Sequence, residues 1–146
     1  MGFGDMMKAS VEKSEATKQL MKSGLELQGV DASQYTVTYG YFLKKGLMKQ
    51  TMYNYIVALS KENSDVIVVP MDPDGRCGEM IRFKTSEITN AKITMQGELK
   101  FDVAGIKDTF KIMVPPYTAK GTETNYQMAI RQEDESELIR SFFKTK

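Results

Sequence analysis

The chain has 146 residues, 41% of them hydrophobic, with 20 Lys and Arg against 19 Asp and Glu for a net charge of +1. That length fits one domain with one core, the composition is that of a globular chain, and the balanced charge removes any global attraction to nucleic acid. With no His and a single Cys, imidazole-based catalysis, zinc sites built on imidazole or several thiolates, and an internal disulfide are excluded.

Residues 4–23 read as a helix. Met7, Val11, Met21 and Leu25 form an apolar stripe broken by the polar run 12–19, and Lys8 and Glu12 are an i,i+4 pair. Such a helix either covers its own domain or serves as an arm for a partner or for lipid headgroups, and so weak a stripe favours the first. Gly24, Gly29 and the stretch Asp31-Ala32-Ser33 break the pattern, so residues 1–34 are an N-terminal helical extension and linker.

From Tyr35 the hydrophobic period changes to two. Tyr35, Val37, Tyr39, Tyr41 and Leu43 alternate with Thr36, Thr38 and Gly40, and residues 51–60 repeat the pattern with Tyr53, Tyr55, Val57 and Leu59. Residues 65–71 are apolar on both faces and β-branched, which predicts a strand covered on both sides. Met71-Asp72-Pro73-Asp74-Gly75 is the clearest turn and predicts a hairpin to residues 79–84. Further strands are expected at 91–96, 98–104 and 107–114, with Gly97 and Gly105 at the reversals. Pro115-Pro116 ends the meander, residues 117–124 are loop, and Tyr126, Met128 and Ile130 suit one more strand.

The last element is a helix opened by Asp134 with Glu137 three residues on, a capping-box-like start. Leu138, Ile139, Phe142 and Phe143 share one face, and Arg140, Lys144 and Lys146 suit the negative end of its dipole. Two adjacent phenylalanines need a hydrophobic seat, which the open end of a barrel provides.

Strands closed off by one C-terminal helix, together with the segment Gly40-Tyr41-Phe42-Leu43-Lys44-Lys45-Gly46, resemble the bacterial pleckstrin homology (PH)-like domain family. Tyr53-Asn54-Tyr55-Ile56-Val57-Ala58-Leu59 is a counterpart of the aromatic-rich second strand, and the run from Ile81 to Ile88 is similar to the strand-then-turn of such domains. The resemblance covers residues 35–146. It implies a mainly β fold, a PH-like antiparallel barrel or sandwich capped by a C-terminal α-helix, and a binding or assembly role. The chain has no Trp, so Phe142 or Phe143 takes the place of the family's helix tryptophan. Asn54 follows the lysines with no arginine in the second strand, which argues against tight bidentate recognition of an inositol phosphate. An eight-strand lipocalin-like barrel carrying a small hydrophobic ligand is the alternative architecture.

Individual motifs carry little chemistry. Ser10/Lys13 and Ser141/Lys144 have Ser-x-x-Lys spacing without a companion motif. A calcium loop aligned on Gly75 would put Pro70 and Ile81 at ligand positions, leaving Asp72 and Asp74 as turn formers. No phosphate loop occurs, Cys77 reads as an inert thiol near a turn, and the scattered methionines read as core filling. The aromatic column Tyr35, Tyr39, Tyr41, Tyr53, Tyr55 either lines a groove or forms cross-strand pairs. Lys44, Lys45 and Lys49 around Gly46, with Leu47 and Met48 between, form the only basic cluster at a loop tip, suited to a phosphate, an acidic peptide or lipid, or else to blunting an edge.

The expectation is a non-enzymatic binding module with no cofactor and no metal, recognising a protein partner or an anionic lipid headgroup through Lys44, Lys45 and Lys49. The rival is a structural homo-oligomer assembly protein that uses residues 4–23 as its contact. The longest apolar run, residues 66–71, is too short to span a membrane. The charged start lacks the pattern of a signal peptide, and Met6 breaks the myristoylation motif. No Asn begins a glycosylation acceptor, so a cytoplasmic location, peripheral to a membrane if lipid is the ligand, is expected.

Overall fold

The computed structural model describes residues 3–48, 50–72, 76–118 and 129–146, with side chains from Lys13 onward except those of Lys45 and Gln50. Helix α1 (Phe3–Leu27) and a 3-10 turn (Ala32–Gln34) lead into β1 (Thr36–Lys45), β2 (Gln50–Ser60), β3 (Asp65–Met71) and β4 (Ile81–Lys84). A second 3-10 turn (Thr85–Glu87) turns the corner into β5 (Ile88–Ile93), β6 (Glu98–Val103) and β7 (Phe110–Met113). The short β8 (Tyr117–Thr118) and β9 (Ile130–Arg131) pair with each other before α2 (Glu133–Lys144).

The main sheet is antiparallel in the order β4-β3-β2-β1-β7-β6-β5, so β1 joins two meanders. Contact between the halves is tight at Gly40, where a Cβ would lie 2.6 Å from Ile112 Cγ2 and 3.1 Å from the Met113 carbonyl oxygen. The residue without a side chain lets β7 close on β1. The two halves then fold over a common core. Val57, Leu59, Val66, Val68 and Phe83 of the first meander meet Leu99, Phe101, Val103 and Ile112 of the second, with the Phe83 ring 6.0 Å from Phe101 and 5.8 Å from Phe110. This is the expected mainly β fold, an antiparallel sheet folded over its core and capped by a C-terminal helix. Among the described residues these side chains pack as one buried cluster between the sheet halves.

Helix α2 fills the open end as its pattern requires. Ile139 and Phe143 are buried and Leu138 and Phe142 half-buried. Phe143, standing 4.7 Å from the Phe101 ring and edge-on to Phe142, occupies the seat. The N-cap is Gln132, two residues before the expected Asp134, and it makes no side-chain cap. The Gln132 amide is engaged elsewhere. It accepts from Tyr39 N–H at 2.8 Å and donates to the carbonyls of Tyr39 at 2.9 Å and Pro115 at 2.7 Å. Beyond the single β1–β7 pair Tyr41↔Met113, this side chain completes the β1 edge much as a neighbouring strand would.

The outer face of β1–β3 carries a second core, covered by α1. Met21 and Leu25 are fully buried against Val37, Tyr39, Ile56, Ala58, Ile67 and Val69, each contributing about 2 kcal/mol of burial. Coverage on both faces gives β3 its nearly unbroken burial from Asp65 to Val69, as its composition predicts. The docking seam continues through the run that reads as a polar interruption. Ser14 and Thr17 are buried, and Ser14 Oγ accepts from Arg131 N–H at 2.7 Å and donates to its carbonyl at 3.4 Å. Lys18 pairs with Glu135 of α2 at 3.6 Å. From Ser14 onward the extension is therefore part of the packed unit.

Several expectations need adjusting, among them the loop at 117–124, whose first two residues form β8. The 107–114 strand is only Phe110–Met113, and the 91–96 strand begins earlier, at Ile88, with an irregularity between Thr89 and Lys92. The aromatic column is split by the β1–β2 register. Tyr39 faces Ile56 and Tyr41 faces Asn54, whereas Tyr55 lies opposite Gly40 and Tyr53 opposite Phe42, so β1 tyrosines point towards α1 and the β2 tyrosines towards the inner side. Of the last predicted strand only Ile130 lies in the described residues, where β9 begins. Gly97 and Gly105 do take the left-handed conformation at φ 90° and 81°. Among the described residues no helix is long and apolar enough to cross a membrane.

Candidate functional site

The expected basic loop is the tip of a long hairpin. β1 and β2 pair without a bulge from Thr36↔Leu59 to Lys45↔Gln50, which carries the tip well beyond the last β3 pair, Asn54↔Met71. Of the three predicted site residues, Lys44 is exposed and makes no ion pair among the described residues. Lys45 is placed by its backbone at the last hairpin pair, and Lys49 lies outside the described residues. Leu47 and Met48 at the tip are fully solvent-exposed, at 104% and 96% of reference. Burying two such side chains would contribute about 3–5 kcal/mol, so the tip presents apolar surface and positive charge together.

Below the tip, Phe42 and Tyr53 stack at 6.4 Å with Tyr53 partly exposed. The hairpin then borders a cleft of about 670 Å³ lined by Tyr53, Tyr55, Pro70, Asp72, Arg76 and Cys77 among others. Its far wall is the turn after β3. Asp72 N–H donates to the Arg76 carbonyl and Asp72 Oδ1 accepts from Arg76 N–H, both at 2.9 Å, so Asp72 serves as the turn former its sequence context predicts. Residues 73–75, including Asp74, lie outside the described residues. Arg76 is a cation at this cleft that sequence order alone does not bring to the hairpin; the register of β2 on β3 does.

Other candidate chemistry is engaged structurally. Cys77 is half-buried, and burial, then the Asp72 carboxylate, push its thiol pKa up, which suits the inert reading. Ser141 Oγ donates to Glu137 Oε1 at 3.2 Å, so its hydroxyl is aimed at the carboxylate of the preceding turn. No group of three or more metal-ligating side chains occurs among the described residues.

The buried carboxylate Asp65 anchors the outer corner of the sheet. Its Oδ2 accepts from Tyr35 OH at 2.5 Å and from Arg82 Nε at 2.8 Å, and Arg82 Nη2 lies 2.7 Å away. Burial by itself raises the Asp65 pKa, but the Arg82 hydrogen bond, then that of Tyr35 and the charge of Arg82, outweigh it and leave the group below its ordinary value. A carboxylate depressed in the folded state contributes stability that is present above its unfolded pKa of about 3.9 and is lost as pH falls through the folded pKa. Chemical denaturation from pH 6 down to pH 2 should therefore show an acid-side loss that is smaller in Asp65→Asn, and an unchanged acid limb would remove this assignment.

Comparison of the chain with protein-family models, curated proteins and solved structures returns no match.

Proposed function

We propose that the protein is a non-enzymatic binding module of PH-like type that engages an anionic lipid headgroup through the tip of the β1–β2 hairpin. The observation that carries this reading is the pairing of fully exposed Leu47 and Met48 with the exposed Lys44 on a hairpin that projects past its neighbours. Apolar side chains at such a tip enter the acyl boundary while ammonium groups stay with phosphate. Each basic residue near an anionic surface contributes about 1 kcal/mol, and the Tyr53 ring beneath the tip suits the interfacial region. The cationic partners are Lys44, Lys45 and Lys49, with Arg76 at the adjoining cleft. A location peripheral to a membrane follows from this reading.

Assembly through residues 4–23 is the rival. It meets a physical obstacle, since the α1 face from Ser14 to Leu25 is already covered by the chain's own sheet. The two readings separate in solution. Replacing Lys44, Lys45 and Lys49 with Ala should weaken flotation with phosphatidylserine-containing vesicles by roughly 100-fold at low salt. Wild-type binding should fall clearly between 20 mM and 300 mM salt as the screening length shortens. Equal flotation with neutral vesicles, or wild-type affinity in the triple variant, would defeat the proposal. Loss of binding to a protein partner but not to lipid would reassign the tip to protein recognition.

A further inference from the structure

The pairing register places three lysines side by side on the outer face of the second meander. Lys92 of β5 lies opposite Lys100 of β6, and Lys100 lies opposite Lys111 of β7. Paired residues share a face, and neighbouring strands are about 4.8 Å apart, so the three form one row about 10 Å long across the sheet. This face is opposite the core, because Leu99, Phe101 and Ile112 alternate inward. Like charges directly opposite one another destabilise a sheet, and none of the three makes an ion pair among the described residues.

Hydrogen bonds from Thr109 and Asn90, then the charge of Lys100, hold the Asp102 carboxyl below its ordinary value, so this carboxylate offsets part of the row's charge without forming an ion pair with it. Asp102 uses both oxygens on other partners, accepting from Asn90 Nδ2 at 3.0 Å and from Thr109 Oγ1 at 2.5 Å. The β5–β6 pairing is irregular between Thr89 and Lys92, and Asn90 there has φ 54°. A cleft of about 580 Å³ opens at that point, lined by Asn90, Ala91, Lys92, Lys100, Asp102 and Thr109. A second cleft of about 480 Å³ continues around the β5 edge from Lys92 to Glu137, Arg140 and Lys144 of α2, and Arg140 Nε within it is buried without a hydrogen-bond partner among the described residues.

We propose that this lysine row is a binding site for a linear phosphate polyanion. The shape of the charge selects a line rather than a plane. Glu98 and Asp102 lie two residues to either side of Lys100 on the same strand, about 7 Å away, so a flat anionic surface would press its charges against both. A narrow chain of phosphates running across the strands follows the row and passes between those two carboxylates. The site is separate from the hairpin tip and stands or falls independently of it.

Thermal unfolding with tripolyphosphate at 20 mM salt tests the proposal on the full chain. The wild type and the Lys44/Lys45/Lys49→Ala variant should both be stabilised by the ligand, because binding to the folded state alone raises its apparent stability. The Lys92→Thr/Lys100→Thr/Lys111→Thr variant should bind tripolyphosphate roughly tenfold or more weakly by titration calorimetry. The single variant Lys100→Thr guards against a folding failure: losing the central like charge should raise the ligand-free midpoint while weakening binding. Absence of stabilisation in the wild type, or stabilisation that survives in the Lys92/Lys100/Lys111 variant, would overturn the site. So would row-dependent binding to single-stranded DNA or anionic vesicles in the absence of tripolyphosphate binding.

Discussion

Replacing Gln132 with Leu is expected to lower the thermal midpoint by about 10 °C, a very large effect for one uncharged side chain. Leu has similar bulk and adds no cavity, so the loss isolates the hydrogen bonds. Three backbone groups depend on this amide, namely the N–H and carbonyl of Tyr39 and the carbonyl of Pro115. Gln132 is 1% exposed and Tyr39 0%, so water does not replace the lost partners. Each buried polar group left without one costs about 1–3 kcal/mol, and about 3–5 kcal/mol in all is a substantial part of the 5–15 kcal/mol that holds a domain together. Gln132→Glu should be at least as damaging, since a carboxylate keeps the acceptor for Tyr39 N–H but turns both donors into charge facing carbonyl oxygens. Urea unfolding measures this directly. A shift of under 1 kcal/mol in Gln132→Leu would mean that β1 does not rely on the side chain.

Phe143→Ala should cost about 3–5 kcal/mol, the range for removing a buried phenyl ring. The ring is 1% exposed and sits 4.7 Å from Phe101, which itself stacks on Phe110 at 5.0 Å. Its loss opens a cavity where both sheet halves and α2 meet, and rigid strands cannot collapse into it. Phe142→Ala provides the contrast. That ring is half-buried, edge-on to Phe143 and within 5.9 Å of Lys146 Nζ, so its removal should cost clearly less. Equal losses from the two variants would show that α2 is not seated through Phe143.

The difference between neighbouring phenylalanines marks where sequence reading stops. Period-two alternation locates β1, β2 and β6, and the two-sided apolar run from Val66 predicts that β3 is covered on both faces. What covers its outer face is not legible, because the α1 seam passes through Ser14 and Thr17, polar residues whose burial depends on Arg131 more than a hundred positions away. The aromatic column fails for a related reason. Alternation assigns residues to a face of their own strand, and only the cross-strand register says that Tyr39 and Tyr55 belong to opposite faces. Likewise the acidic start of α2 is visible, but the N-cap moves to Gln132 because a long-range amide contact outweighs a local capping box. At the tip, Lys44 and the exposed Leu47 and Met48 are legible from a glycine-centred basic hairpin, whereas Arg76 reaches the adjoining cleft only through the pairing of β2 with β3.

The absence of Trp from the chain makes the hairpin tip directly observable. Leu47→Trp places a single indole at the exposed tip, and its emission reports whether the tip leaves water when the protein meets a bilayer. With vesicles containing phosphatidylserine at low salt, the account predicts a blue shift and quenching by bromine-labelled acyl chains. Neither should occur with neutral vesicles, and neither should occur for Met95→Trp at the exposed β5–β6 turn. An indole at position 47 whose emission does not change on anionic vesicles, or changes equally on neutral ones, would contradict headgroup recognition by the β1–β2 tip.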